Sequence, residues 1–321
     1  MNIRMRRFAG EEGRLRRLSP ADEGAVEDFL AHHPIDGVIA RAALAHSGIS
    51  WRSCYGIFGR RGVLRSFAWM QGTLVPLGFD QKGLAELAQV VRSSASCSSF
   101  VGPADQVLGL WEHLEAFFEH PRDIRPRQYS MVAPPGSSPE ITSSGGGSAC
   151  TPHLGDSVEN NFESPEVPYI DDLVGELRVR PARPEEIELV FPASVAMFTE
   201  ELGYDPTIYG SSYRHRAEGL VRAGHTFIAT APGADGGERV IFKADVGALA
   251  GGVAQLQGVW TAPDLRGRGI CTAGISEVVR LIRESVAPVV SLYVNDYNEP
   301  AVRAYLTAGW RIVGEWATVL L

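Results

Sequence analysis

Lysine is almost missing from this chain: Lys82 and Lys243 are two of 30 basic residues, and arginine supplies the rest. A coding bias toward arginine explains that scarcity, so it carries no functional weight. Cysteine is sparse too. Cys54, Cys97, Cys150 and Cys271 lie far apart and form no C-x-x-C pair. That excludes a zinc ribbon and a disulfide scaffold, so the four read as free thiols and no metal is expected. No apolar run approaches the ~20 residues of a membrane-spanning helix. The arginine-rich Met1–Gly10 is not followed by the apolar stretch of a secretory signal, so a cytoplasmic location is expected. Two familiar phosphate-binding signatures, G-x-x-x-x-G-K-[ST] and G-x-G-x-x-G, are also lacking.

What is present fits a globular protein of two units. The 321 residues, 45% hydrophobic and 21% charged, suit two domains of about 150 residues each. The net charge of −8 is uneven: residues 1–133 carry +2, residues 134–170 five acids and no base, and residues 171–321 carry −5. An acidic second half disfavours duplex nucleic acid as a partner. Arg4, Arg6, Arg7, Arg14, Arg16 and Arg17 form a basic cluster, but only Phe8 accompanies them. It reads as a solvated tail and not as a nucleic-acid or lipid surface.

Residues 134–170, with Pro134-Pro135-Gly136, Gly145-Gly146-Gly147 and Asn160-Asn161, hold too little apolar surface to offset their ordering entropy, and read as a flexible linker. The flanking halves follow one plan. Each opens with a short extended stretch and a proline-marked helix start, at Leu15–Asp22 and Leu177–Glu185. Each closes with a strand, a helix and a strand: Ser98–Val101 runs into Asp105–Phe118, and Ser291–Val294 runs into Glu299–Ala308. Within the second half the pattern predicts strands at 176–180, 225–230, 239–246, 252–261, 288–295 and 310–321. Helices are predicted at 184–200, 268–284 and 299–308, with helix or loop to 224. Gly233–Gly237 marks a hairpin.

The chemistry concentrates in Gly258–Cys271. An apolar strand ends at Thr261, Pro263 breaks it, and Gly267 and Gly269 open the amphipathic Thr272–Arg283. Glycines there let backbone N–H groups approach a ligand, a helix N-terminus favours negative charge, and Arg266 and Arg268 add cations. This is a pyrophosphate cradle. It resembles the phosphate loop of the GNAT superfamily of N-acetyltransferases, Gln/Arg-x-x-Gly-x-Gly/Ala, here Arg266-Gly267-Arg268-Gly269-Ile270-Cys271. Cys271 stands where Gly or Ala is usual and is small enough to be tolerated. A second GNAT-like pattern follows at Asn298-x-x-Ala301-x-x-x-Tyr305-x-x-x-Gly309-Trp310. The resemblance covers about 171–321. The layout is also similar to actinobacterial acetyltransferases with an additional N-terminal module, through Gly72–Pro76, Phe100–Pro103 and Trp111–Arg127.

The resemblance implies an α/β (α+β) fold in two tandem GNAT-like domains, each a mixed, mostly antiparallel sheet flanked by helices. Residues 1–133 would be a degenerate copy, because Gln81-Lys82-Gly83 lacks the loop spacing, and 171–321 the catalytic one. Acetyl-CoA would be the co-substrate. Its pantetheine arm would pair with Val259, Trp260 and Thr261, and its pyrophosphate would lie on the amides of Gly267, Arg268, Gly269, Ile270, Cys271 and Thr272 beside Arg266. Asn298 would contact the cofactor, and Tyr305 would protonate the departing thiolate. The base stays open among Glu200, Glu201, Asp245 and His225, since the strand before the loop offers only Gln255 and Gln257. Glu200 and Glu201 together could bind a cationic acceptor. The expected partner is an amine, small molecule or protein, with no nucleic acid and no membrane; the first half could shape the acceptor site or support a homodimer. The alternative is a non-catalytic acyl-CoA-binding sensor.

Overall fold

The computed structural model describes residues 13–47, 53–94, 97–135, 177–233 and 236–321. Met1–Gly10, Cys150, the hairpin tip Ala234-Asp235 and most of 134–170 lie outside these residues.

The first half runs β1 (Leu15–Arg17), α1 (Glu23–Ala31), α2 (Val38–Ser47), β2 (Cys54–Phe58), β3 (Leu64–Leu77), α3 (Gln81–Arg92), β4 (Cys97–Pro103), α4 (Ala104–Glu112) and β5 (Asp123–Val132). The second runs β6 (Arg180–Pro181), α5 (Ile187–Leu202), α6 (Ser212–Arg222), β7 (Thr226–Pro232), β8 (Glu238–Ala250), β9 (Val253–Thr261), α7 (Ile270–Ser285), β10 (Val289–Asn295), α8 (Glu299–Thr307) and β11 (Arg311–Leu320). The two halves differ by one strand. Three consecutive antiparallel strands, β7 to β9, precede α7, where only β2 and β3 precede α3. The helix expected over Asp105–Phe118 ends at Glu112. Beyond it the chain turns, and Phe118 stacks on Trp111 with ring centroids 6.4 Å apart.

Local pattern explains the elements around the site. In α7, Ile270, Ile275, Val278, Val279 and Ile282 are buried on one stripe. On the opposite face Arg280 pairs with Glu277 and Glu284. β8 is buried without interruption from Val240 to Val246, as expected of a strand covered on both faces. Gly274 lets α7 sit directly on it, since a Cβ there would lie 2.9 Å from the Phe242 ring.

Among the described residues the eleven strands form one sheet, in the order β1-β2-β3-β4-β11-β5-β10-β9-β8-β7-β6. Pairings are antiparallel except β3 with β4 and β9 with β10. The closing strands have exchanged places: β11 pairs with β4 of the first half, and β5 pairs with β10 of the second. They also pair with each other, from Arg311 opposite Val132 to Leu320 opposite Asp123. The cores follow suit. Ala317 and Val319 are buried among first-half residues, and Val38 of α2 packs with Ala248 and Val253. The Trp316 indole donates to Asp36 at 2.9 Å. No helix among the described residues is long and apolar enough to cross a membrane.

Candidate active site

The site begins where two parallel strands part. β9 and β10 pair only from Val253–Leu256 to Val289–Leu292. Beyond Leu256 the remaining five residues of β9 have no strand on that side, so their backbone groups on that edge are released from sheet pairing. On the other side β9 bulges against β8: Lys243 faces Trp260 and Asp245 faces Gln257, so Gly258 and Val259 stand opposite Ala244. Gly258 takes a left-handed φ of +57°, and such a bulge re-aims the backbone it interrupts. A cleft of about 1140 Å³ opens between the parted strands, and α5, α6, α7 and α8, with residues of β5 and β8, supply the rest of its wall.

The cradle closes one end. Pro263 starts a single 3-10 turn, Leu265 anchors it in the core, and α7 follows. Gly267 and Gly269 have φ of +74° and +79°, and a Cβ on either would meet nothing within 4 Å. No side chain caps α7, so its first N–H groups point outward unclaimed. Gly267, Gly269, Ile270, Cys271 and Thr272 line the cleft with Val259, Trp260 and Thr261. Arg268 does not; it lies beside Asp264 and helps hold that carboxyl down, after Arg239. Arg266 lines the cleft but is already engaged, donating to the Thr261 carbonyl at 3.0 Å and to Glu200 at 2.5 Å.

The same turn in the first half is filled. The Asp80 side chain caps α3, accepting from the Gly83 N–H at 2.8 Å. A carboxylate of the chain itself thus stands where the second half leaves bare amides. The Gln106 side chain bridges both backbone groups of Phe79, at 2.7 and 3.2 Å. Pro76 leaves β3 without one N–H on this stretch. A Cβ on Gly83 would lie 2.9 Å from Ile57.

Tyr305 is 5% exposed and packs against Trp310. Burial first, then proximity to Cys271 and the Glu201 carboxylate, holds its hydroxyl well above the ordinary tyrosine range. Burial also pushes the Cys271 thiol up to about 11, so both groups are protonated at neutral pH. Asn298 lines the cleft and caps α8, accepting from the Ala301 N–H at 3.3 Å.

Glu200 and Glu201 both line the cleft, and each meets an arginine. Glu200 accepts from Arg266 and from the Trp260 indole at 3.2 Å. Glu201 accepts from Arg125 of β5 at 2.8 Å. Asp245 lines the cleft from β8; it accepts from Thr226 at 2.8 Å and pairs with the fully buried Lys243. A Cβ on Gly258 would lie 3.1 Å from its Oδ2. Gln255 is buried beside Ser291, whereas Gln257 reaches the cleft. His225 is half-buried at the start of β7 and does not line it.

The lining residues that went unseen in the sequence include Tyr213 and Arg216 on α6, Tyr293 on β10, and Gln128 on β5. The local signal for α6 is the spacing of Ala217 and Val221, which are buried on one face. Gln128 arrives through the strand exchange. It donates to Asn295 at 2.8 Å and accepts from Thr318 at 2.7 Å.

Comparison with known proteins agrees with this geometry. Residues 193–310 match the Acetyltransferase (GNAT) family, and residues 53–143 match a domain of unknown function, DUF4081. No curated protein matches the chain by sequence. A GNAT-family acetyltransferase from Colwellia psychrerythraea superposes with a TM-score of 0.51 at 12% identity, over 96% of this chain and 99% of its own. A GCN5-related N-acetyltransferase from Sphaerobacter thermophilus gives 0.51 at 14% identity, over 97% and 95%. A Drosophila protein gives 0.54 at 14% identity, over 96% and 99%. At such identities the likeness is one of fold, and it spans both halves. Residues 193–310, which carry the parted strands, the open cradle and Tyr305, are a domain of the GNAT acetyltransferase family.

Proposed function

We propose that the protein is an acetyl-CoA-dependent N-acetyltransferase with one working site, in its second half. The observation that carries this is the contrast between two equivalent turns: the amides at the start of α7 are bare, and those of α3 are capped by Asp80. A pyrophosphate fits the former, because open space lies in front of Gly267 and Gly269 and the helix end favours anions. Arg266, once released from Glu200, would add a cation there.

Acetyl-CoA supplies the acetyl group as a thioester. The freed edge of β9 beyond Leu256 offers backbone partners to an extended pantetheine arm, and the bulge at Gly258–Val259 would let a backbone N–H reach the acetyl oxygen. An unprotonated amine held in the cleft forms the new C–N bond as the C–S bond breaks. Its proton leaves to water or a cleft carboxylate, and the Tyr305 hydroxyl gives a proton to the sulfur. Holding both reactants in one cleft supplies much of the acceleration.

The sensor reading keeps one point in its favour: β9 carries Gln255 and Gln257 in place of a carboxylate. Calorimetry with acetyl-CoA and a CoA-release assay over a broad amine panel, both on the full chain, separate the two. Binding with release supports the enzyme; binding with no release on any amine favours the sensor; no binding removes both. Mass spectrometry of a metabolite extract and lysate proteins incubated with labelled acetyl-CoA then identifies the acceptor.

A further inference from the structure

The acceptor end of the cleft holds an arginine that no carboxylate pairs with among the described residues. The cleft's carboxylates on α5 and β8 already have cations: Glu200 meets Arg266 toward the cradle, Glu201 shares Arg125 with Asp123, and Asp245 pairs with Lys243. Of the three arginines that line the cleft, Arg266 is paired with Glu200 and Arg303 with Glu299. Arg216 is the third. Among the described residues its hydrogen bond is to the neutral amide of Gln257, at 3.3 Å, and no carboxylate pairs with it. Gln257 is itself held in place, lying across Gly247 so closely that a Cβ there would overlap it.

Position says what this cation faces. Gln257 directly precedes the bulge residue Gly258, on the side of β9 away from the cradle, so Arg216 stands past the point where the thioester would be presented. The rings of Tyr213 and Tyr293 line the same cleft. Arg216 and Gly258 line one cleft and are linked through Gln257, so a single small acceptor can touch both.

We propose that the acceptor is a small amine bearing its own carboxylate, an α- or β-amino acid in its simplest form. The carboxylate would bind Arg216, and the amine would point to Gly258. A guanidinium matches a carboxylate in shape and charge, and a carboxylate-bearing acceptor supplies the partner that Arg216 lacks. A diamine or polyamine would meet Glu201 and Asp245 already paired with Arg125 and Lys243, and a cation besides.

This inference rests on the acetyltransferase reading, so acetyl-CoA binding by calorimetry is the first measurement; its absence removes that reading and this one together. With binding established, CoA release is followed on matched acceptors: amino acids, the same amino acids with the carboxylate converted to an amide, and diamines. The free acids should exceed their amides in kcat/KM by about tenfold or more. Arg216→Gln should erase that difference by raising KM for the acids, and Arg216→Lys should keep part of it. Acetyl-CoA affinity should be unchanged in both variants, showing that the cleft is folded and that Arg216 does not serve the cofactor. A preference for amides or diamines, a preference that survives Arg216→Gln, weakened acetyl-CoA binding in that variant, or failure of every acid to react while acetyl-CoA binds would each overturn it.

Discussion

Tyr305 illustrates how burial equips a single side chain. Its phenol sits in the core, and desolvation of the phenolate holds the hydroxyl well above its ordinary value of 10.0. It therefore remains a proton donor across the neutral and mildly alkaline range, and the alkaline limb of kcat should not fall through pH 10 on its account. Tyr305→Phe removes the proton and keeps the packing against Trp310. We expect kcat to drop about 100-fold while acetyl-CoA affinity, measured by calorimetry, stays the same. An unchanged kcat would take Tyr305 out of the mechanism.

Two helix starts show what an element can be built to do. α7 begins at Gly269 in the left-handed region, where an L-residue costs about 1–2 kcal/mol. Gly269→Ala should lower stability by that amount, and its Cβ would stand in the open space of the cradle. Acetyl-CoA Kd should rise about tenfold or more, equal to ~1.4 kcal/mol of binding; calorimetry beside thermal melting separates the two effects. The approach to α5 works differently. Glu186 accepts from the Arg183 N–H at 2.8 Å and from both Arg180 guanidinium nitrogens at 2.7 Å. Arg180, more than the later contacts with Arg183, lowers its carboxyl from 4.5 to about 2. A depressed folded value means that the stabilisation is complete above pH 4.5 and is lost as pH falls toward 2. Glu186→Gln should melt lower at pH 7, and its gap from the unaltered protein should close across that acid window.

At the scale of the whole molecule the exchange of β5 and β11 makes the halves mutually dependent. Without the first half, β11 would lose both of its neighbours and β10 would lose one. The edge left exposed would carry unpaired backbone groups and apolar side chains. A protease site engineered into residues 134–170 tests this. After cleavage the two fragments should still co-elute under native conditions and melt in one transition. A 171–321 fragment expressed alone should fail to give a soluble folded monomer; if it binds acetyl-CoA as well as the full chain does, the exchange is dispensable.

The strand, proline and glycine turn of Gly258–Cys271 could be read directly because each step is local: proline ends a strand, glycine opens a helix, and apolar spacing runs through α7. The Asn298–Tyr305 helix was legible for the same reason. The partners of those residues were not. Glu201 and Arg125 are 76 positions apart and Glu200 and Arg266 are 66 apart, so a pair that reads as two adjacent acids becomes two separate ion pairs only once the chain has folded. β5 and β11 could be recognised as strands, but a strand's alternation does not name its neighbour. Packing chose it, when burying Trp316, Ala317 and Val319 among first-half residues placed β11 beside β4. The amino-acid sequence by itself determined the strand, proline and glycine turn in which we propose a phosphate is held; the tertiary structure decided which charges stay free around it, because only folding brings distant cations and carboxylates within reach of one another.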